Sequence, residues 1–376
     1  MRRMIRRMEL PGKPTFIPPV GCTGYDRFRQ HTTVRQWFPT GAVIALAVGF
    51  DAANVCSGQP RASVGISVKL AIPDLISNSY FPALAAAELG CFAREGLQVR
   101  AELVFPVDRA YAALRDGEVD IVAGAAHGAL AAFPQWHGVR LLGALSQGMY
   151  WFLVMRSDLR IARGDLAALR GRRIGAAPWV EMGLRRLLAA AGLDPARDYI
   201  DIGPVPGARG ADVNFGLIAA EALATGTIDG FWANGMAAEL AVTTAAGSLV
   251  LDVRRGDGPP GCFHYTMPVL AMTEQMVQRS PEVAAAAVRA LVAAQDALKR
   301  DVSLATEVGR RRFPPREAGL IAGIVQRDLP FYDASISEAS MAAVNAFARS
   351  VGVVDSDVPY QRIVAVEFSD LWSVPA

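Results

Sequence analysis

The sequence predicts an α/β fold of two similar lobes facing a shared cleft, and three observations carry that prediction. The first is an internal repeat. Residues 114–130, LRDGEVDIVAGAAHGAL, return 109 residues later as 223–239, LATGTIDGFWANGMAAE, both in the frame Leu-x-x-Gly-x-apolar-Asp. The second is how each copy reads locally. Leu114 and Leu223 fall on the buried face of a helix, which Gly117 and Gly226 end in the left-handed conformation. The apolar runs 119–122 and 228–231 that follow suit strands buried on both faces of a parallel sheet. Each strand empties into small residues before another helical run, and ligands of open α/β sheets bind at such carboxyl ends. The third is length, because 376 residues exceed what one hydrophobic core usually serves.

Composition removes several function classes. Hydrophobic residues at 52% and charged residues at 20% exclude a disordered chain. Residues 1–57 hold eight basic and three acidic side chains, so the remainder holds 30 basic and 33 acidic. A mildly acidic body with no basic stripe argues against a nucleic-acid partner. The cysteines, Cys22, Cys56, Cys91 and Cys262, show no C-x-x-C spacing, which argues against a zinc or dithiol site. Cys91 lies in a helical apolar pattern, where a thiol packs as a small hydrophobe, so Cys91 and Cys262 are expected buried and unpaired.

Residues 1–62 read as a leader outside the fold. Residues 37–50, WFPTGAVIALAVGF, carry no charge and have signal-peptide length, too short to span a bilayer. The run lies far from Met1, which Val34 as an alternative start would explain; cleavage after Ser57 fits the small-residue rule loosely. Cys56 follows Val55 where a lipidation motif wants a small residue, so lipidation is the weaker reading. A disordered leader is the alternative to a signal, and both place it outside the fold.

The body divides into 63–153 as the first part of lobe one, 154–262 as lobe two, and 263–376 as a return to lobe one with carboxyl-terminal helices. Residues 64–71 give the first strand, and Pro82 opens a helix that Gly96 closes, with Leu84, Leu89 and Phe92 inward. Strands follow at 97–104, 139–145 and 149–155, with a helix at 107–115 leading into the first repeat copy. In lobe two, a helix at 181–191 is stopped by Gly192 and Pro195, 199–204 is a strand, and Asp212 caps the helix of the second copy. A loop at 254–261 and a strand at 264–271 return the chain. Ser280-Pro281 starts a long amphipathic helix, and Ser335 with Glu338 forms a capping box for another.

The chain resembles the solute-binding proteins of bacterial ABC importers, of the type II periplasmic binding protein fold, in the branch that handles nitrate, sulfonates, taurine and thiamine-pyrimidine precursors. Besides the repeat, the resemblance rests on Val68-Lys69-Leu70-Ala71, on Asn78-Ser79-Tyr80-Phe81-Pro82, and on residues 87–97, AELGCFAREGL, where Cys91 replaces the family's usual tyrosine. Residues 169–175, LRGRRIG, match a further family phrase, and the likeness covers about 66–352. It implies a hinge near Tyr150 and Trp151, carboxyl-terminal helices packed across lobe one, and a monomer outside the cytoplasm that presents its closed form to a membrane permease.

Chemistry motifs are few. There is no phosphate loop, G-x-S-x-G elbow or H-E-x-x-H helix, and His31, His127, His137 and His264 are too scattered for a metal cluster. No cofactor is therefore expected, nor an enzyme, with His127 as the residue an enzyme on this fold would use. Asp120 and Asp229 start their strands and read as structural; Glu181 suits a helix cap as well as a ligand, and Arg209 suits solvent better than an anion. Loops at 77–81, 125–127, 178–181 and 233–235 each join a strand to a helix, so their helix amino ends would aim free N–H groups into one cleft. Beside them stand Tyr80, Phe81, Trp151, Trp179 and Trp232, which suit an anionic or ring-bearing small molecule. The expected ligand contacts are Asn78, Ser79, Tyr80, Ala126, His127, Trp151, Trp179, Glu181, Trp232, Asn234 and His264.

Overall fold

A computed structural model describes residues 65–210 and 213–373. The leader, with Cys22, Cys56 and His31, and the expected cap Asp212 lie outside the described residues. Lobe one contributes β1 (Ile66–Ile72), β2 (Leu97–Leu103), β3 (Ile121–Ala125) and β4 (Val139–Ala144). Lobe two contributes β5 (Phe152–Arg156), β6 (Arg173–Ala176), β7 (Asp201–Gly203), β8 (Gly230–Ala233) and β9 (Gly247–Asp252), and β10 (Pro268–Thr273) returns to lobe one.

The two sheets share one topology. Their strand orders are β2-β1-β3-β10-β4 and β7-β6-β8-β5-β9, so in each the fourth strand is the one that arrives from the other lobe. Those arriving strands run antiparallel to both neighbours, whereas β1 pairs parallel with β2 and β3, and β6 with β7 and β8. Mixed sheets thus replace the parallel ones expected from the sequence. An apolar run announces burial on both faces but carries no strand direction, which connectivity decides. The crossing segments are 145–151 and 253–267, with Tyr150 and Trp151 in the first.

Helices cover both sheets. Those of the lobes are α1 (Phe81–Glu88), α2 (Cys91–Arg94), α3 (Val107–Arg115), α4 (Val180–Ala190), α5 (Phe215–Ala224) and α6 (Gly235–Thr243). The carboxyl-terminal set includes α7 (Glu274–Arg279), α8 (Pro281–Arg300), α9 (Leu304–Arg312), α10 (Pro315–Asp328) and α11 (Glu338–Ser350). Helix α8 buries Val283, Ala287, Leu291, Ala294 and Leu298, a stripe at helical spacing, and packs on α1 and α2. The single helix expected over 82–96 is two, interrupted at Leu89-Gly90. Ser337 rather than Ser335 caps α11, its side chain accepting from the Ser340 N–H. Cys91 and Cys262 are both buried and free. Among the described residues no helix is long and apolar enough to cross a membrane.

The repeated frame has the same structure twice. Leu114 and Leu223 are buried, and Gly117 and Gly226 take φ of +74° and +72°. Asp120 then accepts the Lys69 N–H at 2.7 Å and donates its own N–H to the Lys69 carbonyl at 3.0 Å. Asp229 does the same to Arg173, at 2.9 Å in both directions. Each aspartate therefore splices the turn after a helix to the neighbouring strand, β1 at Lys69 and β6 at Arg173, which supports the structural reading of both. Replacing either by alanine should cost about 1–3 kcal/mol, the range for a hydrogen bond to a charged group. Urea unfolding of Asp120→Ala and Asp229→Ala checks this as a lower midpoint at unchanged slope.

Candidate functional site

The carboxyl ends of both sheets meet at a cavity of about 40 Å³, walled by residues of both lobes and by the first crossing segment. That volume holds no more than a few water-sized molecules, so the lobes stand nearly closed on one another. Six of the lining side chains are aromatic. Tyr80 and Tyr150 touch through their hydroxyls at 2.5 Å, Trp151 and Trp232 lie 6.1 Å apart between ring centroids, and Phe105 stacks on Phe215 at 5.8 Å.

Closure is made by side chains of lobe one that reach amide groups of lobe two. Asp74, just beyond β1, accepts the Gly216 N–H at the start of α5 at 3.2 Å and the Asn234 side-chain amide at 2.7 Å, and its other oxygen accepts the Ile76 N–H at 3.3 Å. Asn78 accepts the Gly235 N–H at the start of α6 at 3.0 Å. A Cβ at position 235 would stand 2.6 Å from the Asn78 side-chain oxygen, so only glycine permits the approach. Asn234 accepts the Ala237 N–H at 3.1 Å, completing the cap of α6. Of the helix amino ends expected to offer free N–H groups, that of α6 is therefore occupied by the protein's own oxygens, whereas α1 and α4 have no side-chain cap. Residues 126–131 form a 3₁₀ turn instead of a helix.

His127 is a further bridge. Its Nε2 lies 3.0 Å from the Trp179 carbonyl of lobe two and its Nδ1 lies 2.9 Å from Thr266 Oγ1. A carbonyl can only accept, so Nε2 carries the proton and Nδ1 accepts from the threonine hydroxyl. Burial lowers the imidazole pKa from 6.5 to about 4, so the ring is neutral. Trp179 itself holds φ of +67° at the amino end of α4, a strained position for a bulky residue. Beside the cavity, Arg254 is 1% exposed and bonds Asp328 at 2.7 Å, Ser79 and the Gln147 carbonyl at 3.0 Å each, and Ser146. Asn78 also donates to Asp328, and Tyr332 donates to the Asn78 carbonyl at 2.6 Å. This network ties lobe one, the crossing segments and α10 together, with Arg255 and Asp252 completing a neutral set of four charges.

Of the residues expected from sequence, Tyr80, Trp151, Trp232 and Asn234 line the cavity. Asn78 and Ser79 are buried in the adjoining network, and Ala126, His127 and Trp179 lie at the bridge. Glu181 is half-buried in the first turn of α4, its carboxyl raised by burial, and one of its oxygens has no partner among the described residues. His264 is exposed and packs on Phe263, away from the cavity. Asp74, Ser77, Phe105 and Phe215 line it without having been expected there as contacts. An acid directly after a buried apolar strand, Ile72-Pro73-Asp74, was the available signal for the first.

A family model described as NMT1/THI5 like matches residues 77–301. No curated protein matches the chain. Among solved structures, a protein of Bordetella bronchiseptica RB50 superposes with a TM-score of 0.64 at 20% identity, over 81% of this chain and 96% of that one. The periplasmic nitrate-binding protein NrtA from Synechocystis PCC 6803 gives 0.60 at 14%, over 82% and 87%. The desulfurization enzyme DSZB gives 0.55 at 18%, over 81% and 98%. These likenesses show the two-lobed periplasmic binding protein fold.

Two buried titratable groups of the cleft act oppositely on stability. Burial raises Asp74 from 3.8 to about 7, so its share of stability is full below 3.8 and is lost as pH rises towards 7. His127, lowered from 6.5 to about 4, contributes above 6.5 and loses that share as pH falls towards 4. Asp74→Asn removes the first effect alone. Its stability relative to wild type should climb between pH 4 and 7 by up to about 1.4 kcal/mol per unit and then level off. Urea unfolding across that range checks it; a pH-independent difference would show that Asp74 is ionised throughout.

Proposed function

We propose, from the premise that the chain belongs to the family described as NMT1/THI5 like, that it is a solute-binding protein. Its two lobes close by hinge motion on a small organic molecule, and the closed form delivers that molecule to an ABC importer. The observation that carries this reading is the cavity walled from both lobes, with every interlobe hydrogen bond at its rim made by a side chain. Side-chain latches can release without unravelling either sheet, which is what hinge closure requires. The crossing segments 145–151 and 253–267 supply the hinge. A permease partner and an extracytoplasmic location follow from the same reading, as does action as a monomer. No bond is made or broken in the solute.

An enzyme on this fold is the second reading, because a desulfurization enzyme shares it. His127 does not favour it. Both ring nitrogens are engaged, the residue is fully buried, and a pKa of about 4 makes it a poor base at neutral pH. A sensor that reports solute to a membrane partner would use the same cleft.

Thermal melting against small anions, aromatic acids, amines and heterocycles tests the reading, with recovery of each compound afterwards. Saturating solute should stabilise by about 2.7 kcal/mol at a hundredfold excess over its Kd, and the compound should be recovered unchanged. A compound consumed in the incubation would move the protein to the enzyme class. Failure of every compound to shift the melt would contradict the solute-binding reading.

A further inference from the structure

We infer that the solute of this cleft is a small organic cation, an ammonium or amidinium nitrogen carried on an apolar or ring body. The inference rests on the solute-binding reading and names the class of solute. Charge is the first argument. Among the described residues lining the cavity, Asp74 is the only one that bears a charge near neutrality, and no arginine, lysine or histidine lines it. Arg254 lies 5.7 Å from the centroid of the Tyr150 ring, but its donors are taken by Asp328, Ser79, Ser146 and the Gln147 carbonyl. His127 is neutral. An anion entering here would meet one carboxylate and no free counter-charge.

The usual alternative for an anion, backbone N–H groups at helix amino ends, is spent at α5 and α6, which leaves only the uncapped start of α4 at Val180. The Gly216 and Gly235 amides are held by Asp74 and Asn78. What remains unspent on Asp74 suits the opposite charge. A carboxylate offers about four lone-pair sites, and Asp74 receives three donors, Ile76, Gly216 and Asn234, which leaves room for one more. Its pKa of about 7 comes from burial without a cation beside it, and a bound cation would supply what is lacking. Tyr80 and Tyr150, the other titratable groups of the wall, are pushed up by burial and stay uncharged.

The wall includes six aromatic rings, Tyr80, Phe105, Tyr150, Trp151, Phe215 and Trp232. Aromatic faces attract weakly hydrated cations through the ring quadrupole, most strongly where the contact is desolvated. Two polar atoms of the lining, Ser77 Oγ and Trp232 Nε1, are buried and have no partner among the described residues. They would serve an acceptor elsewhere on the solute, such as a hydroxyl or ring nitrogen. On α3 and α4, Asp108 and Glu181 each carry a buried oxygen without a partner among the described residues, and the two are close enough for Asp108 to raise Glu181.

Matched probes of opposite charge test the inference on the full chain: benzamidine against benzenesulfonate, and tetramethylammonium against methanesulfonate, by calorimetric titration. At least one cation should bind about tenfold or more tightly than its anionic counterpart near pH 8, and its affinity should fall about tenfold by pH 5.5 as Asp74 takes up a proton. Asp74→Asn should erase the preference for the cation. Should that variant not fold, the pH dependence of the wild type decides alone. Tighter binding of either anion would overturn the cation class while leaving a solute-binding protein, and so would cation binding with no pH dependence. Failure of all four probes together with the whole compound library would overturn both readings.

Discussion

Two aspartate splices set the geometry on which the cleft depends. Asp120 and Asp229 each take the backbone N–H of a neighbouring strand, Lys69 within β1 and Arg173 at the start of β6, and return their own N–H to the same residue's carbonyl. Register in a sheet has a period of two, and a slip of one residue would turn every side chain to the other face. By fixing where β3 and β8 begin, the splices fix where they end, at the His127 bridge after β3 and at the cavity residues Trp232 and Ala233 of β8 and Asn234 after it. A shared topology in both sheets then brings the two carboxyl edges face to face.

Lobe one meets lobe two there with two side-chain oxygens and an imidazole N–H. Asp74, Asn78 and the imidazole of His127 hold the amides and carbonyl that a solute would otherwise address. The protein thus stands in for its own ligand, at a cost. Asp74 gives up solvation without a counter-cation, Trp179 accepts a positive φ, and Ser77 Oγ and Trp232 Nε1 have no partner among the described residues. Costs of this kind collect where a structure must change state. The neutral Arg254–Asp328 network beside the cavity is, by contrast, fully satisfied and nearly solvent-free, and it anchors the crossing segments rather than the solute.

Local pattern explains what was legible beforehand. Leu114, Gly117 and Asp120 lie within one helical turn and one strand start, so their spacing alone carries the unit, and its return at Leu223, Gly226 and Asp229 carries the two lobes. Helix α3 falls at the residues its periodicity predicts. The direction of β5 and β10 is not written in their apolar runs, because it is a property of where the chain has come from. Likewise Asp74 meets Asn234 across 160 residues and Arg254 meets Asp328 across 74, and only the folded topology pairs them. Of the aromatic residues near loop ends, Trp151 and Trp232 were readable as cavity wall, whereas His264 follows a turn that faces outward.

The most direct test asks whether these latches hold the lobes shut. Spin labels at Glu118 and Thr227, exposed and equivalent turn positions in the two lobes, would report their separation by pulsed dipolar spectroscopy. The wild type should give one narrow distance, and the His127→Ala, Asp74→Ala double variant a second, displaced population from opened lobes. Superimposable distributions in a folded variant would contradict the account, for then the cleft would be held by something other than the side chains that cross it.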